Sequence, residues 1–463
     1  MSNPEPQTHD PEDRSFDYDV LDLFAGPGGL DVAAHFLGLT SVGIELDGNA
    51  CETRYRAGLP TIHADVTVMR EERYEEVPHT RVLAGGPPCQ SFSIAGNGAG
   101  REALNTVTEL IDELIEDPEG QLVDKKLEDL DGRTRLVLEP LRYLLKAITS
   151  GRGPYQYIVL EQVPAVYEVW RAYAKVLASG VIKRPRLDSS GQVQNEDVKY
   201  EVAYDVLRTE EYGVPQTRKR AVLIARLIDG EQHPDKPLEL PGPTHARFVT
   251  LRNKTAGDDA TLFAVESKKP EEEESKEPWR SMHSALFAAK KELDSSHDSI
   301  PRDSKFYVVS NYGSGGDPKN RGIRHWDQPS FTVTGKVSRN RPMDENGEPL
   351  PRFTIHEAGV LQSFPGNFPW SGRDQAQQVG NAVPPLFGMH VLGVALGLTP
   401  SFPDGLNLRW AGSVDVLRSA DLRLEGCPLK RACPTGHPYD QPAESSSTTS
   451  RPRTGASAKS PSK

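Results

Sequence analysis

The chain has 463 residues, of which 36% are hydrophobic and 26% are charged, and its formal net charge at pH 7 is −12. This composition is typical of a soluble globular protein, and the length fits two domains or one large domain with inserts. Its apolar runs are too short to span a membrane, its N-terminus lacks a secretory pattern, and four cysteines are too few for a disulfide scaffold. We therefore expect a cytoplasmic protein with no membrane partner.

The negative charge is concentrated in two segments, residues 1–19 and residues 97–139. Residues 318–341 have the opposite character, with six Lys and Arg side chains against Asp327 alone and with His, Trp and Phe among them. The total charge argues against a nucleic-acid partner, because phosphate binding requires clustered Lys and Arg side chains. The basic stretch keeps such a partner open, since it supplies that cluster locally.

Short apolar strands alternate with helical segments in the N-terminal half. The pattern predicts strands at residues 20–24, 41–46, 82–84, 157–160 and 221–225, with a helix over 31–39. Such alternation indicates an α/β fold with a mostly parallel sheet. After about residue 227 the chain becomes rich in Pro, Gly and charge, and periodic order returns near residue 352.

The predicted organisation follows from these changes in pattern. We expect a disordered acidic tail over 1–17 and a main domain over 18–235, which contains the acidic insert 97–139. A smaller irregular domain is expected over 236–350, and the main domain resumes over 351–400. Residues 401–463 form a C-terminal extension, expected to be disordered from about 441 because it is rich in Ser, Thr and Pro.

A glycine-rich turn, FAGPGG at residues 24–29, joins the first predicted strand to the first predicted helix. Glycines there let the backbone approach a ligand, and the helix N-terminus offers free N–H groups. Glu45 ends the second strand, where an acid commonly accepts hydrogen bonds from a ribose, and Asp65 is expected to end a third strand at the same edge. The turn does not fit G-x-G-x-x-G, so a tight turn without a ligand stays open.

A rigid turn, GGPPCQSFS at residues 85–93, presents Cys89 at the carboxyl edge of the predicted sheet. A thiol on a stiff turn near a helix start can be a nucleophile, although many lone cysteines are simply small buried hydrophobes. Glu161 follows the strand YIVL and is a candidate acid or hydrogen-bonding group, or an ordinary strand-capping residue.

Three polar side chains, Gln216, Arg218 and Arg220, alternate before the strand AVLIA. Residues two apart in an extended segment face the same side, so they would line one surface suited to a planar polar ligand or a phosphate. A solvated basic turn is the alternative. Asn381 is expected at the start of the last helix, because two prolines follow it.

Taken in order, these segments resemble the DNA (cytosine-5-)-methyltransferase family of the bacterial or phage restriction–modification type. The matching motifs are DLFAGPGGL, IELDGNA, HADV, AGGPPCQSFS, VLEQVPAV, YGVPQTRKRAVLIA, RFTIHEAGVLQSFP and QVGNAVPP, which span residue 20 to about 395. The resemblance implies a Rossmann-like class I S-adenosylmethionine-dependent methyltransferase domain. It also implies that residues 236–350 are a target-recognition domain.

The resemblance implies the chemistry as well. Cys89 would add to C6 of a cytosine flipped out of duplex DNA, Glu161 would hold the N3/N4 edge of the base, and Arg218 and Arg220 would surround the base and the nucleophile. The cofactor would be S-adenosyl-L-methionine and its product S-adenosyl-L-homocysteine. The implied cofactor-binding residues are Phe24, Ala25, Gly26, Gly28, Gly29, Leu30, Glu45, Leu46, Asp65, Val66, Pro87, Asn381, Ala382 and Val383.

The expected partner is double-stranded DNA, with a cognate restriction endonuclease acting separately, and the enzyme is expected to be a monomer. Residues 91–101 would form a mobile loop that closes on DNA, and a surface helix is expected over 107–115. No metal is expected, since Cys427, Cys433 and His437 have neither the usual zinc spacing nor a fourth ligand. The expected DNA-contacting residues are Gln90, Ser91, Arg101, Gln216, Lys319, Arg321, Arg324, Lys336, Arg339 and Arg341.

One departure and three alternatives accompany this interpretation. Gln162 stands where the family usually has Asn, so the support of the neighbouring Glu161 can differ. An RNA (tRNA) cytosine-5 methyltransferase is disfavoured by the long 227–350 segment, which suits a reader of DNA sequence. An inactive DNA-binding relative is disfavoured by the presence of Cys89, Glu161 and both arginines. A dinucleotide oxidoreductase is disfavoured by the absence of G-x-G-x-x-G and by the Pro-Pro-Cys turn.

Overall fold

A computed structural model describes residues 16–88, 98–117, 121–127, 134–187, 192–228, 236–249, 276–295, 305–313, 321–398 and 409–410. The predictions made for most of the N-terminal tail, for residues 91–97 and for the chain beyond residue 441 therefore lie outside the described residues.

A seven-stranded sheet forms the centre of the fold. Its strands are β1 Tyr18–Leu23, β2 Ser41–Glu45, β3 Thr61–His63, β4 Thr80–Gly85, β5 Tyr157–Gln162, β8 Lys199–Arg208 and β9 Lys219–Ile228, with a separate hairpin of β6 Lys183–Leu187 and β7 Val193–Asp197. The order is β3-β2-β1-β4-β5-β9-β8; the first five strands are parallel, and β9 runs antiparallel to both of its neighbours. The predicted α/β class and mostly parallel sheet are confirmed.

Helices cover both faces of this sheet, as a parallel sheet requires. The α-helices of the described residues are α1 Gly29–Phe36, α2 Gly48–Ala57, α3 Val66–Glu71, α4 Gly98–Glu116, α5 Gln121–Leu127, α6 Glu139–Thr149, α7 Tyr167–Ser179, α8 Met282–Ala288, α9 Lys290–Ser295, α10 Ile355–Leu361, α11 Gln375–Asn381 and α12 Pro385–Ala395, of which α8 to α11 belong to the second region described below. Val20 of β1 packs with α1 and α12, whereas Leu21 and Leu23 pack with α6 and α7. The alternation follows from the two-residue period of a strand.

The acidic insert packs on the main domain through an apolar stripe. Val107, Leu110, Ile111 and Leu114 recur at helical spacing on α4, and all four are buried in the same hydrophobic cluster as Trp170 of α7. The predicted surface helix thus lies within a longer helix that begins at Gly98. Residues 98–101 are helical, so the prediction of a loop there is wrong.

The second region is more regular than predicted and is joined to the main domain. β10 Phe306–Gly313, β11 Arg321–His325 and β12 Arg341–Asp344 form an antiparallel sheet in the order β11-β10-β12. Phe306 of β10 shares one hydrophobic cluster with Val32 of α1 and Ala57 of α2. The second region therefore packs directly on α1 and α2 of the main domain.

Candidate active site

A cavity of about 770 Å³ opens at the carboxyl edge of the parallel strands, next to the glycine-rich turn. Pockets of α/β sheets form at this edge because the connections to the helices diverge there. Twelve of the predicted cofactor-binding residues line it, namely Phe24, Ala25, Gly26, Gly29, Leu30, Glu45, Leu46, Asp65, Val66, Asn381, Ala382 and Val383.

The glycine-rich turn is shaped by backbone conformations that favour glycine. Gly26 has φ 54° and Gly28 has φ 102°, both in the left-handed region. A Cβ on Gly29 would collide with the carbonyl oxygen of Val383, so glycine lets the turn after α11 close over the start of α1. A Cβ on Gly28 would point at Leu59 and the buried Arg54, away from the cavity, so any contact of Gly28 with a cofactor would be through its backbone, and this contact stays a prediction.

Glu45 organises the turn from the end of β2. Its Oε2 accepts a hydrogen bond from the Gly26 amide at 2.7 Å, and its Oε1 accepts one from the Asp47 amide at 2.7 Å. Each carboxylate oxygen has a second lone pair, so Glu45 keeps acceptor capacity towards the cavity that it lines.

Two local predictions need correction. Asp65 does not end a strand, because β3 stops at His63; Asp65 instead caps α3 by accepting a hydrogen bond from the Thr67 amide at 2.7 Å. Asn381 is the last residue of α11, not the first of the final helix, which starts at Pro385. Proline fits the first turn of a helix but disfavours helical geometry in the residue before it.

An ion pair between Glu161 and Arg220 stands in the wall of the cavity. Arg220 Nε lies 2.6 Å from Glu161 Oε1, with side-chain exposures of 12% and 9%. The pair forms because β5 and β9 run antiparallel side by side, with Glu161 opposite Val222. Pro88 also lines the cavity, whereas Cys89, which follows it, lies outside the described residues.

Gln162, the departure from the family pattern, connects β5 to the Pro-Pro turn. Its Nε2 donates a hydrogen bond to the carbonyl of Pro87, and its Oε1 accepts one from the Val163 amide at 2.5 Å. Both the Gln162 side chain and Pro87 are buried. Pro87 is not among the residues that line the cavity, although its neighbours Gly86 and Pro88 are, and its role in cofactor binding stays a prediction.

Arg218 is buried, and its side chain connects the segment before β9 to the backbone at Val333 and to the turn after α11. Its Nη1 donates to the carbonyls of Val333 at 3.0 Å and Gly380 at 2.9 Å, and its Nη2 donates to that of Ala382 at 3.4 Å. Burial and the nearby Arg220 lower the pKa of the Arg218 guanidinium well below its usual range. This arginine therefore holds the turn after α11 against the start of β9.

Gln216 has a related structural role. It is fully buried, donates to the Leu361 carbonyl at 3.1 Å and accepts from the Val333 amide at 2.9 Å. The alternation that led us to expect a shared surface with Arg218 and Arg220 fails, because β9 begins only at Lys219. The prediction that Gln216 contacts DNA is wrong for this structure, since the side chain has no exposed surface.

A second, strongly basic cavity of about 580 Å³ shares part of its wall with the first. Arg218, Arg220 and Thr332 line both. Its charged lining consists of one acid and six bases, Glu210 with Arg208, Arg218, Lys219, Arg220, Arg247 and Arg324. Such an excess of positive charge in a concave surface attracts a polyanion.

Arg324 is the predicted DNA contact that the structure brings into this basic cavity. Its guanidinium lies over the rings of Phe248 at 4.5 Å and Phe331 at 4.9 Å. Lys336 is at the rim of the first cavity, and Arg339 and Arg341 are exposed elsewhere. The other predicted DNA contacts lie outside the residues or side chains that the structure describes: Gln90, Ser91, Arg101, Lys319 and Arg321.

The cavity residues that the sequence reasoning missed include Asp22, Arg208, Lys219 and Arg247. Asp22 could have been found, because an acid in the middle of the apolar strand VLDLF is unusual. The three basic residues carry no comparable signal. They meet only because β8, β9 and the segment after β9 converge with β11.

The described ranges hold no group of three or more His, Cys, Asp or Glu side chains that could bind a metal ion. Cys427, Cys433 and His437 are outside those ranges. Among the helices given above, none is both long and apolar enough to cross a membrane.

Comparison with known proteins gives a consistent result. The family model described as C-5 cytosine-specific DNA methylase matches residues 18–116 and 192–394. The chain is 27% identical over 395 residues to Type II methyltransferase M1.HphI of Haemophilus parahaemolyticus, covering 80% of this chain and 84% of that protein. It is also 27% identical over 382 residues to Type II methyltransferase M.Eco47II of Escherichia coli, covering 79% and 76%.

A solved structure, the Dnmt2 methyltransferase of S. pombe, superimposes with a TM-score of 0.46 and 15% identity, covering 82% of this chain and 98% of that one.

Proposed function

The chain belongs to the C-5 cytosine-specific DNA methylase family, and on that premise we propose that it transfers a methyl group to C5 of a cytosine flipped out of a specific duplex DNA sequence. One observation carries the proposal: the Glu161–Arg220 pair stands where a nucleotide-sized cavity meets a basic one. A base entering between them would lie beside both a carboxylate and a guanidinium.

The first cavity fits S-adenosyl-L-methionine. Glu45 at the end of β2 suits the ribose hydroxyls, Asp65 suits an amine at the adenine edge, and Phe24 offers a ring for stacking. The Gly26–Leu30 backbone would hold the methionine end, and Asn381, Ala382 and Val383 would close the cavity from the turn after α11. When bound, this cofactor supplies a methyl group activated by its sulfonium.

We assign the covalent step to Cys89, the residue after Pro88. C5 of cytosine is a poor nucleophile, and addition of the Cys89 thiolate to C6 makes C5 electron-rich. Glu161 would donate a proton to N3 and so stabilise that adduct, and Arg220 would pair with the carboxylate that results. Loss of the C5 proton to water after methylation then lets the Cys89–C6 bond break, which releases the Cys89 thiolate while the N3 proton returns to Glu161.

The test of the proposed function is methyl transfer from labelled S-adenosyl-L-methionine to unmethylated duplex DNA, followed by nucleoside analysis. We expect 5-methylcytosine from the wild-type protein and none from Cys89→Ala, which should still bind the cofactor. Label at cytosine N4, label in tRNA but not in DNA, or full turnover by Cys89→Ala would each contradict the proposal. DNA containing 5-fluorocytosine should trap the adduct, since fluorine cannot leave as a proton does.

We propose that the DNA backbone approaches through the basic cavity. Arg208→Gln and Arg247→Gln should weaken DNA binding and reduce the slope of log K against log salt by about 0.9 for each phosphate that is no longer neutralised. Arg186→Gln is the matched control, because Arg186 is an exposed arginine of the β6–β7 hairpin. Equal effects of all three changes would show that total charge, not this cavity, governs binding.

Biological context follows from the relatives. We propose that the enzyme protects host DNA in a restriction–modification system, with residues 236–350 as the target-recognition domain and a separate endonuclease as the counterpart. We expect it to act as a cytoplasmic monomer. Bisulfite sequencing of DNA from an expressing host would give the recognition sequence, and a swap of residues 236–350 with those of a relative should change it.

A further inference from the structure

A buried cluster of charged residues lies directly beneath the glycine-rich turn. Asp31 accepts hydrogen bonds from Arg54 Nη1 at 2.5 Å and from Ser41 Oγ at 2.8 Å. Arg54 is fully buried and also donates to Thr61 Oγ1 at 2.8 Å and to the Pro60 carbonyl at 3.0 Å. The charges of Asp31 and Arg54 therefore compensate each other, and both side chains are hydrogen-bonded.

Asp22 is the member of this cluster that the pair leaves uncompensated. It is on β1, only 2% exposed, and it lines the first cavity. Its Oδ1 is buried with no hydrogen-bond partner among the described residues. Two carboxyl groups thus share one guanidinium, and a buried carboxylate without a partner is costly.

The charged groups that act on Asp22 come from three elements: Asp31 of α1, Arg54 of α2 and Glu45 of β2. Two of the three are acids. Burial and the neighbouring Asp31 raise the pKa of the Asp22 carboxyl well above its usual range, against the opposing effect of Arg54. The carboxyl groups of Asp22 and Asp31 are also hydrogen-bonded to each other, which requires a shared proton; the site is therefore short of one positive charge, and Asp22 Oδ1 still lacks a donor.

We propose that Asp22 is the counter-ion of the α-ammonium group of S-adenosyl-L-methionine and accepts a hydrogen bond from it through Oδ1. The inference rests on the proposed cofactor. The ammonium group fits better than the sulfonium, because an unsatisfied acceptor needs an N–H donor and a sulfonium has none. The position also fits, since Asp22 lines the same cavity as the Gly26–Leu30 backbone.

Calorimetric binding of three ligands tests the assignment. S-adenosyl-L-methionine carries both cations, S-adenosyl-L-homocysteine carries the ammonium alone, and 5′-methylthioadenosine carries neither. Asp22→Asn should weaken the first two by a similar factor of about 10 to 100, as expected for a lost charge-assisted hydrogen bond, and leave the third unchanged. Asp19→Asn is the matched control, because Asp19 is on the same strand but pairs with Arg81 outside the cavity.

Each other outcome overturns the inference. If Asp22→Asn leaves the affinities unchanged, Asp22 is not the counter-ion. A loss of affinity for S-adenosyl-L-methionine alone would show that Asp22 acts on the sulfonium. An equal loss for all three ligands would show that the role of Asp22 is structural. If the wild-type protein binds neither S-adenosyl-L-methionine nor S-adenosyl-L-homocysteine, the proposed cofactor itself fails.

Proton release by the wild-type protein gives a second test that needs no variant. A carboxyl with a raised pKa keeps its proton in the cofactor-free protein to a higher pH, and a bound cation favours its ionised form. Binding should therefore release a proton at a pH above the ordinary carboxyl range, measured by calorimetry in buffers of different ionisation enthalpy. S-adenosyl-L-homocysteine should release it too and 5′-methylthioadenosine should not; no release with either charged ligand contradicts the proposal.

Discussion

Replacement of Gln162 by leucine should slow methylation through the turn that precedes Cys89. Leucine has a similar volume, so it fills the buried site but removes the donor to the Pro87 carbonyl and the acceptor for the Val163 amide. A buried carbonyl left without its donor costs about 1–3 kcal/mol. We expect the free energy of unfolding to fall by about that amount unless the turn moves to find another partner.

Movement of the turn is what couples this change to catalysis. Pro88 lines the cavity and Cys89 follows it directly, so a shift of Pro87 displaces the thiol relative to Glu161 on the adjacent strand. A misplacement of about 1 Å can cost a factor of about 100 in rate. We therefore expect Gln162→Leu to reduce single-turnover methyl transfer by about 10- to 100-fold.

Two further variants at this position sharpen the test. Gln162→Asn keeps the amide on a side chain one methylene shorter and should give an intermediate rate. Gln162→Glu places a carboxylate against the Pro87 carbonyl and should be slower than Gln162→Asn. The assay is single-turnover transfer at saturating DNA, with urea unfolding and cofactor binding measured in parallel. A wild-type rate for Gln162→Leu, or a loss explained wholly by cofactor affinity, would refute the reasoning.

Three other predictions concern the cofactor turn, pH and the C-terminal extension. Gly29→Ala should lower cofactor affinity about tenfold or more in calorimetry, because its Cβ meets the Val383 carbonyl and overpacking costs about 1–3 kcal/mol; unchanged affinity would contradict this. Burial lowers the pKa of His390 to about 3, so the imidazole is neutral in the folded protein. The unfolded chain binds the proton more readily, and the free energy of unfolding therefore falls as the pH falls from about 6.5 towards 3. His390→Gln should flatten that part of the urea-unfolding profile by up to about 1.4 kcal/mol per pH unit, and an identical profile would count against it. Trp410→Ala should cost about 3–5 kcal/mol, because Trp410 is buried and donates to the Ala57 carbonyl at 2.9 Å; a stability equal to wild type would mean that this part of the extension does not dock.

The main fold could be predicted well because its sequence signals are local. Apolar strands ended by glycine or proline define the parallel part of the sheet, and β1, β2, β4 and β5 lie within two or three residues of the predicted ranges. The boundaries of short elements were less certain, as at Asp65, where a capping carboxyl also fits a strand end. The second region was predicted to be irregular because β11 and β12 are short and polar and become strands by pairing with β10.

Residue type and near-neighbour spacing were enough to establish the family, the glycine-rich turn, the Pro-Pro-Cys turn and the order of the elements that carry them. Three-dimensional packing was needed to establish which charges meet. Antiparallel pairing of β5 and β9 brings Arg220 to Glu161, and burial turns Gln216 and Arg218 into hydrogen-bonding partners of the backbone. Asp22 has apolar neighbours in the sequence, and its missing partner became visible only when the packing around it was known. Charge compensation is set by distance and burial in three dimensions, and one-dimensional spacing contains neither.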